Sequence, residues 1–189
     1  MVPPDRYVDA VLSLARCAAD VANFCDHVEH NEAADRRWVI DAGTMLRRIA
    51  CGLAQDESQD LRELYALRLR AIEKRNPTWT PDAFDGAGLA QQAVSWRDLQ
   101  LVQAEHDRRY HPDVVGLAKF DQLRHCALHL SKLAGAAASI AQGVAEVDDF
   151  LTRRLPDLLL FGLKLATIMG ERLPESALVA SDERAFVSC

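Results

Sequence analysis

Several features are missing from this sequence, and each absence excludes something. No segment alternates β-branched and polar residues in the way a half-buried strand does, so helices are the regular structure expected. No apolar run reaches the roughly 20 residues that a membrane span needs; the longest, residues 155–170, is interrupted by Asp157 and Lys164. The first ten residues, MVPPDRYVDA, hold neither a basic nor an apolar leader segment, and a cytoplasmic protein with no membrane partner is expected. The five cysteines are odd in number and contain no CxxC pair, which is unlike a zinc site or a disulfide framework. Cys17 and Cys126 fall on apolar helix faces as packing residues. Basic character is also lacking: the net charge is −6 and the pI near 5.5, so no nucleic-acid footprint is visible. Lysine occurs only at 74, 119, 132 and 164, and arginine supplies the rest of the 22 basic residues.

What remains is a chain with 49% hydrophobic residues in 189, enough for one substantial core. A single all-α domain over residues 1–189, a bundle of about six helices, is the expected architecture. Apolar residues at helical spacing place a first helix over about 5–26, a polar loop over 27–37, a second helix carrying Val39, Leu46 and Leu53, and a third over about 58–75. Residues 76–88, NPTWTPDAFDGAG, have neither period and read as a loop. Ser95 and Asp98 have capping-box spacing ahead of a helix that starts there or extends back to Leu89, and that stops at His111-Pro112. A helical hairpin over 121–170 follows, ending at a C′ glycine, Gly170, with Pro156 either starting or kinking its second arm. Sliding the chain by 116 residues without a gap superposes this hairpin on 5–54, with Asp121 on Asp5, Leu128 on Leu12, Ala134 on Ala18, Arg153 on Arg37 and Asp157 on Asp41. Internal duplication and two unrelated amphipathic hairpins obeying the same packing rules both explain the overlap.

The runs HCALHLSKLAGAAASIAQG and RRLPDLLLFGLKLATIMGERLPESAL, which place the likeness over about residues 121–176, resemble the last two core helices of the all-α nucleoside triphosphate pyrophosphohydrolases of the MazG-like group. The resemblance implies a helical hairpin that holds Mg²⁺ through carboxylates on adjacent helices, with the metal carrying a triphosphate. At the corresponding positions of this hairpin stand Leu133, Ala136, Arg154 and Asp157, of which only Asp157 is acidic. The first hairpin offers Cys17, Asp20, Trp38 and Asp41 there. Asp157, Asp41 and Asp20 are therefore the catalytic candidates that the resemblance implies, with Mg²⁺ as cofactor. It also implies a homodimer, unless the duplicated hairpin completes the core within one chain.

Helical spacing brings Asp121, His125, His129 and Lys132 into one stripe, with Leu123, Leu130 and Ala134 on the opposite side. A solvated polar face is the plain explanation. As a ligand site, the stripe would use Lys132 to neutralise a phosphate and the histidines to exchange hydrogen bonds or protons. His125 and His129 also form an HxxxH pair that could hold a transition metal, with His106, Asp107 or His111 as third ligand, an arrangement similar to DinB-like helix bundles. His111-Pro112-Asp113 reads as a turn, and the charge clusters at 27–37 and 105–109 as solvated helix ends. Trp38, Trp79 and Trp96 read as core or interface anchors. Two functions follow: a divergent MazG-like protein that binds or hydrolyses a nucleotide or other small phosphorylated ligand, and a non-catalytic helical module that binds a protein partner.

Overall fold

The computed structural model describes residues 4–76 and 84–176. All regular structure among them is helical, and no helix is long and apolar enough to cross a membrane. Six helices have fifteen residues or more: α1 (Pro4–Glu29), α2 (Arg37–Asp56), α3 (Leu61–Arg75), α5 (Trp96–Tyr110), α7 (Lys119–Ala141) and α9 (Leu155–Met169). Shorter helical pieces connect them: α4 (Gly86–Gln92), α6 (Pro112–Val115) and α8 (Val147–Asp149). A π-helical turn, Phe150–Arg154, leads from α8 into α9.

Helix α9 is the axis of the bundle. Every residue from Leu155 to Ala166 is buried, as expected of a helix that is apolar nearly all round. It packs on α2 along one side and on α3, α5 and α7 along others. Helix α1 lies along α7, burying Tyr7, Leu14, Cys17, Val21 and Phe24 at spacings of three, four and seven. The α2–α9 crossing depends on two glycines. A Cβ on Gly162 would lie 3.0 Å from the Gly43 carbonyl oxygen, and one on Gly43 would lie 3.3 Å from the Gly162 carbonyl oxygen. Gly170 ends α9 in the left-handed region, with φ of 69°, which a glycine adopts without a Cβ penalty.

The Ser95–Asp98 capping box and the Gly170 C′ are where the sequence placed them, and a further cap, Asp60, starts α3. Ser95 and Asp98 form a reciprocal capping box on α5, and the Asp60 carboxylate accepts the Arg62 and Glu63 amides at the start of α3. Other expectations need correction. Helix α1 continues through the polar segment to Glu29, because Val28 still packs on the core. The expected loop at 76–88 gives way at Gly86 to α4, whose Ala87 and Ala90 are buried and whose start is capped by Asp85. Residues 77–83, including Trp79, lie outside the described residues, as does Cys189. The cluster at 105–109 is not a solvated helix end: His106 is fully buried and Asp107 nearly so. Pro156 sits in the first turn of α9, after the π-helical turn, where its missing N–H costs nothing.

Candidate functional site

Four helical elements leave a cleft of about 430 Å³ between them, and its lining is strongly cationic. Helix α3 contributes Arg68 and Arg75 from one face, seven residues apart. The corner between α5 and α6 contributes His111 and Asp113, because Pro112 forces the chain to turn there. Helix α7 supplies His125, His129 and Lys132. The π-helical turn and α9 supply Arg154, Asp157, Phe161 and Lys164. Arginine and lysine thus furnish five side chains against two aspartates, in a protein whose overall charge is −6.

The cleft has two levels. At the floor, each cation has a buried partner. Arg68 donates to both carboxylate oxygens of Asp157, at 2.6 and 3.1 Å, and Lys164 lies 3.0 Å from the Asp107 carboxylate behind it. Burial pushes the Asp157 carboxyl up, and the Arg68 guanidinium pulls the other way. At the rim, Arg75, Lys132 and Arg154 are solvent-exposed, and none makes an ion pair among the described residues. Between the levels stand the histidines. The His125 and His129 rings are 4.6 Å apart, and His129 stacks on Phe161 at 4.8 Å. Burial lowers His111 and His125 and takes His129 down to about 4, with the neighbouring cations adding to the effect. The imidazoles are neutral at neutral pH, each with one N–H donor and one acceptor nitrogen.

The sequence-derived candidates separate into two groups. His125, His129, Lys132 and Asp157 meet in this cleft. Asp121, on the same stripe of α7, points elsewhere and is exposed against Arg124. Asp20 pairs with Arg16 on α1, and Asp41 is exposed on α2; neither lines the cleft. His106 lies behind the cleft, buried against Tyr110 and Glu73, with burial lowering it to about 4. Among the described residues, no three His, Cys, Asp or Glu side chains are grouped to hold a metal, so neither the aspartate trio nor His106, His125 and His129 form a metal centre in this arrangement. The described thiols are held in the protonated form. Burial pushes Cys17 and Cys126 up to about 12 and Cys51 to about 11.

Sequence reading missed Arg68, Arg75, Arg154 and Lys164 as site residues, and had His111 near the α7 histidines only as a candidate third metal ligand. One signal was present: Asp157 and Lys164 are the charged residues in the most apolar helix of the chain, and buried charges are rarely kept without partners. No protein-family model matches the chain, and neither the curated proteins nor the solved structures contain a significant match.

Proposed function

We propose that the cleft between α3, α7, α9 and the α5–α6 corner binds a small phosphorylated ligand of the nucleotide class. One observation carries this reading: three exposed cations, Arg75, Lys132 and Arg154, line a cavity without a close ion pair among the described residues, although Arg154 feels the Asp157 carboxylate that Arg68 already holds. Unpaired like charges held around a concave surface repel one another and focus a positive potential into it, and an anion relieves both effects. Arginine forks and a lysine ammonium suit phosphate oxygens in particular. The stacked His129–Phe161 pair offers an aromatic surface beside the charges, which suits a ligand with an aromatic ring as well as a phosphate. The resemblance of residues 121–176 to the MazG-like group supports a nucleotide in the same way.

The proposed activity is binding. A magnesium-dependent hydrolysis needs several carboxylates around the cation. Here the acid within the cleft that the resemblance nominated, Asp157, is engaged by Arg68. Magnesium would reach this cleft already bound to a ligand's phosphates.

Calorimetric titration with nucleoside mono-, di- and triphosphates and with sugar phosphates, each with and without Mg²⁺, tests the reading. At least one of them is expected to bind, and Lys132→Gln should weaken that binding by about tenfold, the ordinary worth of one charge-assisted hydrogen bond. Binding that Lys132→Gln and Arg154→Gln leave unchanged would place the ligand elsewhere. No binding by any of them would remove the reading.

A further inference from the structure

The three free cations of the cleft come from three different walls. Arg75 stands in the last turn of α3, Lys132 on α7, and Arg154 in the π-helical turn before α9. No two share an element, and none makes an ion pair among the described residues, although Arg154 feels the carboxylate of Asp157. The two cations at the floor, Arg68 and Lys164, are each held by a buried aspartate. The cations of the cleft that no ion pair holds therefore form a tripod at its mouth.

A tripod of donors on three walls is satisfied by a group that offers acceptors in three directions. A phosphodiester presents two free oxygens and a carboxylate two. A phosphomonoester, or the last phosphate of a nucleotide, presents three. We propose that the cleft selects a terminal phosphate, with one free oxygen directed to each of Arg75, Lys132 and Arg154. This rests on the binding reading above and narrows it: phosphodiesters and bridging phosphates fall outside the class of good ligands.

The other charged and titratable groups facing this mouth are accounted for. From α3, Arg68 is committed to Asp157 on α9. From the α5–α6 corner come His111 and the exposed Asp113, whose carboxylate disfavours an anion placed close to it. From α7 come His125 and His129, and from α9 Lys164, held by Asp107. Asp113 is on the α6 side, so the bound phosphate belongs toward Lys132 and Arg154, away from that corner.

Phosphorus-31 NMR titration at pH 8 with three small probes separates geometry from charge and from the body of the ligand. Methyl phosphate carries about two charges there, since the second phosphate ionisation lies near pH 6, and has three free oxygens. Dimethyl phosphate carries one charge, and P1,P2-dimethyl diphosphate carries two without any three-oxygen group. Methyl phosphate is expected to bind at least about tenfold more tightly than either of the others. That advantage should collapse in Arg75→Gln, Lys132→Gln and Arg154→Gln, and Arg154→Lys should restore only part of it because the fork is lost. These side chains are exposed and unpaired, and circular dichroism should show unchanged helix content in each variant. If methyl phosphate and dimethyl diphosphate bind equally and both depend on Lys132, the cleft counts charge and the tripod is wrong while the binding reading stands. If no probe binds, the tripod is overturned, and the nucleotide titration above decides the binding reading by itself.

Discussion

At the residue scale, the buried ionisable groups make the most direct predictions. His106 is fully buried, and its imidazole is lowered from 6.5 to about 4 by loss of solvent. Between those two values the unfolded chain holds a proton that the folded one refuses, so stability rises with pH across that window and falls on acidification. At about 1.4 kcal/mol per pH unit of displacement, the full effect is roughly 3 kcal/mol. Urea unfolding at pH 7 and pH 4.5 should therefore show a smaller loss in His106→Leu than in the natural protein. Burial raises Glu73 and Asp157, which titrate with the opposite sign, so the difference between the two proteins is the informative quantity. The Arg68–Asp157 pair makes a second test. Asp157→Asn leaves a guanidinium that is about one-quarter exposed without its counter-charge and should cost about 2 kcal/mol. Replacing both with Met and Leu should recover most of that loss, because the desolvation of two charges disappears with them. An additive double mutant would mean that the two side chains act independently.

At the scale of elements, two glycines in helices should respond in opposite directions to the same substitution. Gly135 lies inside α7 with open space where a Cβ would be, so Gly135→Ala should stabilise by about 0.5–1 kcal/mol through helix propensity. Gly162 lies at the α2–α9 crossing, where a Cβ meets the Gly43 carbonyl oxygen and the Arg47 stem. Gly162→Ala should destabilise by about 1–3 kcal/mol despite the better propensity. Thermal unfolding of the two variants reads both signs at once.

The sequence made α1, α2, α3, α5 and α7 legible because their apolar spacing is regular. The Ser95–Asp98 box and Gly170 were legible because capping is local chemistry. Adding 116 to the bounds of α1 gives 120–145, beside the observed 119–141 of α7. For α2 it gives 153–172, beside 155–169 for α9. The helix α4 was not legible, since seven residues rich in glycine and alanine have no period to read. Half of the cleft was legible through the α7 stripe. The other half was hidden because Arg68, Arg75, Arg154 and Lys164 come from elements far apart in sequence, and only packing shows that they face one cavity. Asp121 was misplaced with them for a related reason: one helical stripe spans three turns, and the cleft covers only the last two.

At the scale of the whole molecule, the contrast is between an acidic protein and a basic cleft. A net charge of −6 averages away a local excess of five cations over two acids, which is why composition, read for a nucleic-acid footprint, gave no sign of this basic cleft. Keeping like charges together with few counter-ions carries a cost in the empty protein, which the proposed ligand would repay. Removing the charges should therefore leave the empty protein as stable as before, or more so, and remove its response to ligand. The most direct measurement is the melting temperature of the natural protein and of the triple variant Arg75→Gln, Lys132→Gln, Arg154→Gln as inorganic phosphate or diphosphate is raised at constant ionic strength. The natural protein should melt at steadily higher temperature with the logarithm of ligand concentration, while the variant starts equal or higher and stays level. Parallel responses in the two proteins would show that the cleft does not hold the anion, and would contradict the binding function proposed for it.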